Sequence, residues 1–318
     1  MNATTAIAPF GFRRDLPRWQ QLVTPAWVAG LVAGAPLVAA PAQQWRLFEV
    51  GFGAAQAFSL GHIAGAGYID TAQLEEGELW NKVPDQALLA LLLGHGIRHD
   101  TTVVLYGRNL LAAARAAHLM LYAGVADVRL LDGGFDAWRR SGQAVVPGPP
   151  HRYQGAADFG VDFPAHPEYL LDMAQARGLV EQGDGALVST RTWNEFIGKT
   201  SGYSYIDARG DIAGARWGRS GDDDDVNSMT EFHHDGRMKA AADICATWGA
   251  AGVRREQHTV FYCGTGWRAS LAFFYAWLMA WERIGVYDGG WCEWSRHADN
   301  PVVCRAWANG NAEVLSQA

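Results

Sequence analysis

The run Val260-Phe-Tyr-Cys-Gly-Thr-Gly-Trp-Arg-Ala-Ser270 ends an apolar segment in a cysteine and places an arginine five positions later, where a helical pattern opens. A thiolate is a strong nucleophile, and a helix N-terminus favours it through unpaired N–H groups and a positive dipole end. Gly264 and Gly266 admit backbone angles closed to other residues, which lets successive amides turn inward as an anion cradle. Arg268 adds a fixed charge whose fork geometry suits an oxyanion such as a sulfonate. A cysteine alone is more often a small buried apolar residue. Here the cysteine, two glycines, the arginine and the helix start coincide, which points to covalent chemistry at Cys263.

The elements that must hold this loop come in duplicate. Gly61-His-Ile-Ala-Gly-Ala66 recurs as Gly210-Asp-Ile-Ala-Gly-Ala215, and Asp132-Gly-Gly-Phe-Asp-Ala-Trp138 as Asp288-Gly-Gly-Trp-Cys-Glu-Trp294. The apolar run Val103 to Tyr106 matches Val260 to Tyr262, and 25 residues separate Gly107 from Asp132 just as they separate Cys263 from Asp288. Ordered repeats at one spacing imply a duplicated domain. A Pro- and Gly-rich stretch from Ser141 to Pro167 reads as the boundary, giving domains over 1–145 and 166–318 joined by a linker, 146–165.

In the second half, short apolar runs at Gly185–Thr190, Val260–Tyr262 and Gly285–Tyr287 alternate with helical patterns at Met238–Gly249 and Arg268–Trp281. The last is apolar nearly all round, as a helix buried between layers should be. Such alternation predicts an α/β fold, each half a parallel sheet with helices on both faces. Sites in such sheets form beyond the carboxyl ends of the strands, so the loops after Tyr262 and Tyr287 are expected to face one pocket.

Composition bounds the alternatives. The 318 residues suit two domains, with 49% apolar and 19% charged residues. A net charge of −7 without basic runs argues against nucleic-acid binding. The four cysteines, Cys245, Cys263, Cys292 and Cys304, form no C-x-x-C pair, which disfavours a zinc site or a disulfide framework and fits a reducing compartment. Trp27 to Ala40 mimics a signal peptide, but its arginines lie far upstream and Pro25 and Pro36 bracket it, so a domain-opening helix is preferred. The expected location is cytoplasmic, or periplasmic if that stretch is a signal. No segment is long and apolar enough to span a membrane.

The paired GHIAGA/GDIAGA motifs, the Cys-x4-Arg loop and the D-G-G-[FW]-x-x-W block resemble the rhodanese family across both halves. The loop is most similar to that of tandem-domain bacterial thiosulfate sulfurtransferases. The resemblance implies two rhodanese-like domains and a persulfide-bearing catalytic nucleophile at Cys263. It also implies an amide cradle over Gly264, Thr265, Gly266, Trp267, Arg268 and Ala269, with Arg268 on the donor's anionic end. Thiosulfate is the implied donor and cyanide or a thiol the acceptor, with no metal or organic cofactor. Four residues between Cys and Arg favour sulfur transfer over the longer loop of phosphatase relatives. Arg268 itself tilts the donor toward thiosulfate over 3-mercaptopyruvate. Sulfur relay to a protein acceptor and a non-catalytic binding module are the competing readings.

Two departures stand out. Gly107 occupies the cysteine's position in the first half, which predicts a silent domain that shapes one wall of the pocket. The family's Asp-x-Arg appears as Ser189-Thr-Arg191. Arg191 is expected at a strand's carboxyl end, either reaching the donor or serving a structural ion pair. Trp291 either lines the entrance or packs, and Trp267, inside the loop, is the stronger candidate of the two. Cys292 reads as a core-facing helix residue and Arg209 as structural. The consecutive acids Asp222 to Asp225, near His233 and His234, lack the alternation of a calcium loop and read as an exposed insertion.

Overall fold

The computed structural model describes residues 11–53, 55–182, 185–306 and 314–315. In the first half the strands of the main sheet are β1 (Leu22–Val23), β2 (Trp45–Gly51), β3 (Gly67–Asp70), β4 (Thr102–Tyr106) and β5 (Asp127–Leu131). In the second half the main sheet consists of β6 (Leu170–Leu171), β7 (Gly185–Ser189), β8 (Arg216–Trp217), β9 (His258–Tyr262) and β10 (Ile284–Tyr287). The first sheet runs β3-β2-β4-β5-β1 and the second β8-β7-β9-β10-β6, every pair parallel. The two orders are the same, as duplication requires.

Alternation along the strands sorts side chains to opposite faces. In the first sheet, Leu47, Val104 and Tyr106 face helices α1 (Pro25–Val32) and Gly134–Arg140, while Phe48, Val103 and Leu105 face the chain's central core. That core also receives Val188, Phe261 and Val286 from the second sheet, so one apolar layer is shared between the halves. At its centre lie α2 (Leu110–Ala123) and α3 (Trp267–Leu278), which pack on each other and are buried nearly all round. Their largely apolar sequences follow from having a sheet on one side and the partner helix on the other. The helix expected over Arg268–Trp281 is this α3, and that expected over Met238–Gly249 forms at Ala241–Ala250.

The stretch resembling a signal is partly the helix α1, capped by the Thr24 hydroxyl, with Trp27 and Val28 buried. Residues 146–165 contain no helix and no strand longer than a bridge. They wrap the first sheet: the Tyr153 hydroxyl accepts from Leu47 N and donates to the Gly65 carbonyl, and Phe159 is buried. Among the described residues no helix is long and apolar enough to cross a membrane.

Candidate active site

Cys263 follows directly on β9, and α3 starts four residues later. Its Sγ accepts a hydrogen bond from the Gly266 amide at 3.1 Å, and the residue is 1% exposed. Gly266 caps α3 with φ +102, a conformation that a side chain would strain. The loop is fixed from behind by the D-G-G block: the Trp291 amide donates to the Cys263 carbonyl at 2.8 Å and the Cys292 amide to that of Gly264 at 3.0 Å. A Cβ on Gly290 would lie 2.6 Å from the Cys263 carbonyl oxygen. The first half repeats the arrangement, with the Phe135 amide on the Gly107 carbonyl and a Cβ on Gly134 only 2.5 Å from that oxygen. The second glycine of each D-G-G motif thus permits the close approach of a loop carbonyl.

Beneath the loop lies a buried charge network. Arg268 makes a two-pronged ion pair with Glu195, at 2.8 and 2.9 Å, and donates to the Tyr203 hydroxyl at 2.8 Å. Its Nε is buried without a partner. Glu195 also meets Arg191 at 3.3 Å, and Arg191 continues to Asp211 and the Gly210 and Ser201 carbonyls. Burial alone would raise the Glu195 carboxyl, but the two guanidiniums, Arg268 foremost, bring it down to about 2. Arg268 is therefore not the free anion clamp that the loop pattern suggested: its charge is already met.

A second network crosses from the first half. Arg115 of α2 is fully buried and binds Glu75 at 2.8 Å and Asp288 of the D-G-G block at 2.6 Å. Glu75 accepts the Trp267 indole N–H at 2.9 Å, which orients a side chain of the loop itself. Burial pushes the Glu75 carboxyl up to about 7, against the pull of Arg115.

Cys263 opens into a cavity of about 280 Å³ whose walls come from both halves. Phe52, Glu75, Trp80 and Leu111 arrive from the first, and Tyr203, Tyr205, Thr265, Trp267 and Arg268 from the second. The first half, which has Gly107 where the second has Cys263, forms one wall. Gly264 and Ala269 stand behind the lining, Ala269 buried in the first turn of α3.

Two expected lining residues sit elsewhere. Arg191 is fully buried, its donors spent on Glu195, Asp211 and carbonyls, because a guanidinium taken out of water needs such partners. Trp291 is equally buried; its indole N–H donates to the Ala208 carbonyl and the Arg191 guanidinium lies 5.1 Å over its ring. Both support the loop from below and neither reaches the cavity. Cys292 is buried in the core, while Arg209 and the acids 222–225 are exposed.

Sequence reasoning missed Glu195, Tyr203, Glu75 and Arg115. Only Glu195 left a local signal, the Thr192-Trp-Asn-Glu195 capping box that the structure contains.

A rhodanese-like domain model matches residues 40–141 and 170–297. The chain belongs to the rhodanese family. It is 54% identical over 291 residues to the thiosulfate sulfurtransferase YnjE of Escherichia coli (strain K12), covering 91% of this chain and 66% of that protein. A crystal structure of YnjE superposes with a TM-score of 0.88 at 53% identity, over 90% of this chain and 69% of that one. The anaerobic ergothioneine biosynthesis enzyme from Chlorobium limicola, solved with its natural substrate trimethyl histidine, is 36% identical with a TM-score of 0.86, over 90% and 71% of the two chains. The sulfur carrier protein TtuD of Thermus thermophilus is 29% identical, over 77% of this chain and 86% of that protein.

Proposed function

We propose that this rhodanese-family chain is a thiosulfate sulfurtransferase that carries sulfur as a persulfide on Cys263. The observation that carries the reading is the position of Sγ, 3.1 Å from the Gly266 amide at the start of α3 and open to a cavity. The Cys263 thiolate attacks the sulfane sulfur of thiosulfate; a new S–S bond forms, the donor's own S–S bond breaks, and sulfite leaves with the electron pair. The acceptor, cyanide or a thiolate, then attacks the outer sulfur, and the Cys263 thiolate departs. Thiosulfate is small enough to rest against the loop amides, and the Arg268–Glu195 pair fixes those amides from beneath. Arg268 and the loop Gly264–Ala269 thus position the reacting sulfur. Arg191 and Trp291 hold the loop's underside.

The test is intact mass after incubation with thiosulfate. Reduced protein should gain about one sulfur atom (~32 Da) and Cys263→Ser none. No gain in the wild-type chain removes thiosulfate as donor. A repeat with 3-mercaptopyruvate then separates a sulfurtransferase of another donor from a binding module.

A further inference from the structure

The cavity is much larger than thiosulfate needs, and beyond the loop amides its outer walls offer an anion no partner. About 280 Å³ is roughly nine times a water molecule's share of the liquid. The walls are aromatic. Phe52 and Trp80 meet edge-on at 5.8 Å between ring centroids, Trp80 and Tyr205 at 6.4 Å, and Tyr205 and Tyr203 at 5.3 Å. Trp267 adds a fifth ring on the loop. Phe52 and Tyr205 remain 62% and 46% exposed, so the outer rings present area that no described residue covers.

The charges point the same way. Among the described residues that line it, Arg268 and Glu75 are the only Arg, Lys, Asp or Glu. Glu195 neutralises Arg268 through two hydrogen bonds. Glu75 shares the single cation Arg115 with a second carboxylate, Asp288, so above about pH 7, where Glu75 is ionised, that cluster holds one positive charge against two negative ones. A box of π-faces with a surplus carboxylate attracts a weakly hydrated cation, and each well-placed ring contributes about 0.5–2 kcal/mol to such binding. A dianion gains nothing from these walls.

We infer that the cavity above Cys263 is an acceptor site for a small organic cation of the trimethylammonium class, caged by Phe52, Trp80, Tyr205 and Trp267. The inference rests on the sulfurtransferase reading for its role and on the cage alone for binding. A nucleophilic atom on the cation attacks the outer sulfur of the persulfide, the bond to Cys263 breaks, and the thiolate is restored. No oxidant or reductant enters. Because each half supplies two of the four rings, the silent domain determines which acceptor is selected.

Binding is tested on the full reduced chain at pH 8 by isothermal titration calorimetry. The probes are choline and its uncharged isostere 3,3-dimethylbutan-1-ol, which share a shape and differ in charge. Choline should bind at least tenfold more tightly. Trp80→Ala and Tyr205→Ala should each weaken it several-fold, whereas Trp193→Ala, an exposed indole outside the cavity, should not. Equal affinity for the two probes, or choline binding that survives both cage substitutions, overturns the cage. Persulfide formation from thiosulfate is followed on the same protein. Sulfur loading without choline binding refutes the cage and leaves the sulfurtransferase; choline binding without loading does the reverse.

Discussion

Glu195→Gln is the most informative single change, because the carboxylate holds two buried guanidiniums and through Arg268 the loop itself. The side chain is fully buried, so solvent screens little of the interaction. A carboxyl at about 2 in the folded chain and at 4.5 when unfolded contributes roughly 3 kcal/mol at neutral pH. Removing one member of a buried ion pair costs about 3–5 kcal/mol, in agreement. The sign follows from the depressed value: this stability is present above pH 4.5 and is lost as the pH falls toward 2. Glutamine keeps the shape and an oxygen for the Thr192 amide, but its NH2 meets the Arg191 and Arg268 donors that Oε1 accepted, so the loss reports the charge together with those hydrogen bonds. Urea unfolding followed by tryptophan fluorescence at pH 7 should show the variant about 3 kcal/mol less stable. The gap to wild type should shrink to less than half near pH 3, where the carboxyl is protonated in the unfolded chain and must release its proton on folding. A loss below about 1 kcal/mol at pH 7, or a gap independent of pH, would refute the network as the loop's anchor.

Two further substitutions probe the loop and its silent counterpart. Gly107→Cys should not create a second sulfur carrier, because a Cβ there lies 2.3 Å from the Asn109 carbonyl oxygen and 3.0 Å from that of Val50. Intact mass after thiosulfate should still show one added sulfur per chain, and two would mean that the silent loop is missing only its thiol. Gly264→Ala puts a Cβ 2.4 Å from the Tyr203 ring, displacing the phenol that Arg268 holds at 2.8 Å. Persulfide formation should slow roughly 10- to 100-fold, as small displacements at a reacting centre do; a rate equal to wild type would show that Tyr203 does not brace the loop.

Much of the architecture was legible before any coordinates. The duplicated motifs, the spacing of 25 residues and the apolar helix after Cys263 are local or periodic signals, and each half folds into the same five-strand parallel order. The cysteine at a strand's end before a glycine-capped helix was equally readable, since backbone geometry acts over a few residues. What tertiary structure decided was the assignment of charges and walls. Glu195 finds Arg268 across 73 positions and Arg115 finds Asp288 across 173. Such pairs leave no period in the chain. Arg191 and Trp291 were therefore drawn toward the cavity on the strength of their strand ends, yet they lie beneath the loop because a buried guanidinium goes where carboxylates and carbonyls can meet it. The aromatic box was invisible for the same reason: Phe52 and Trp80 become neighbours of Tyr205 only when the shared core joins the two sheets.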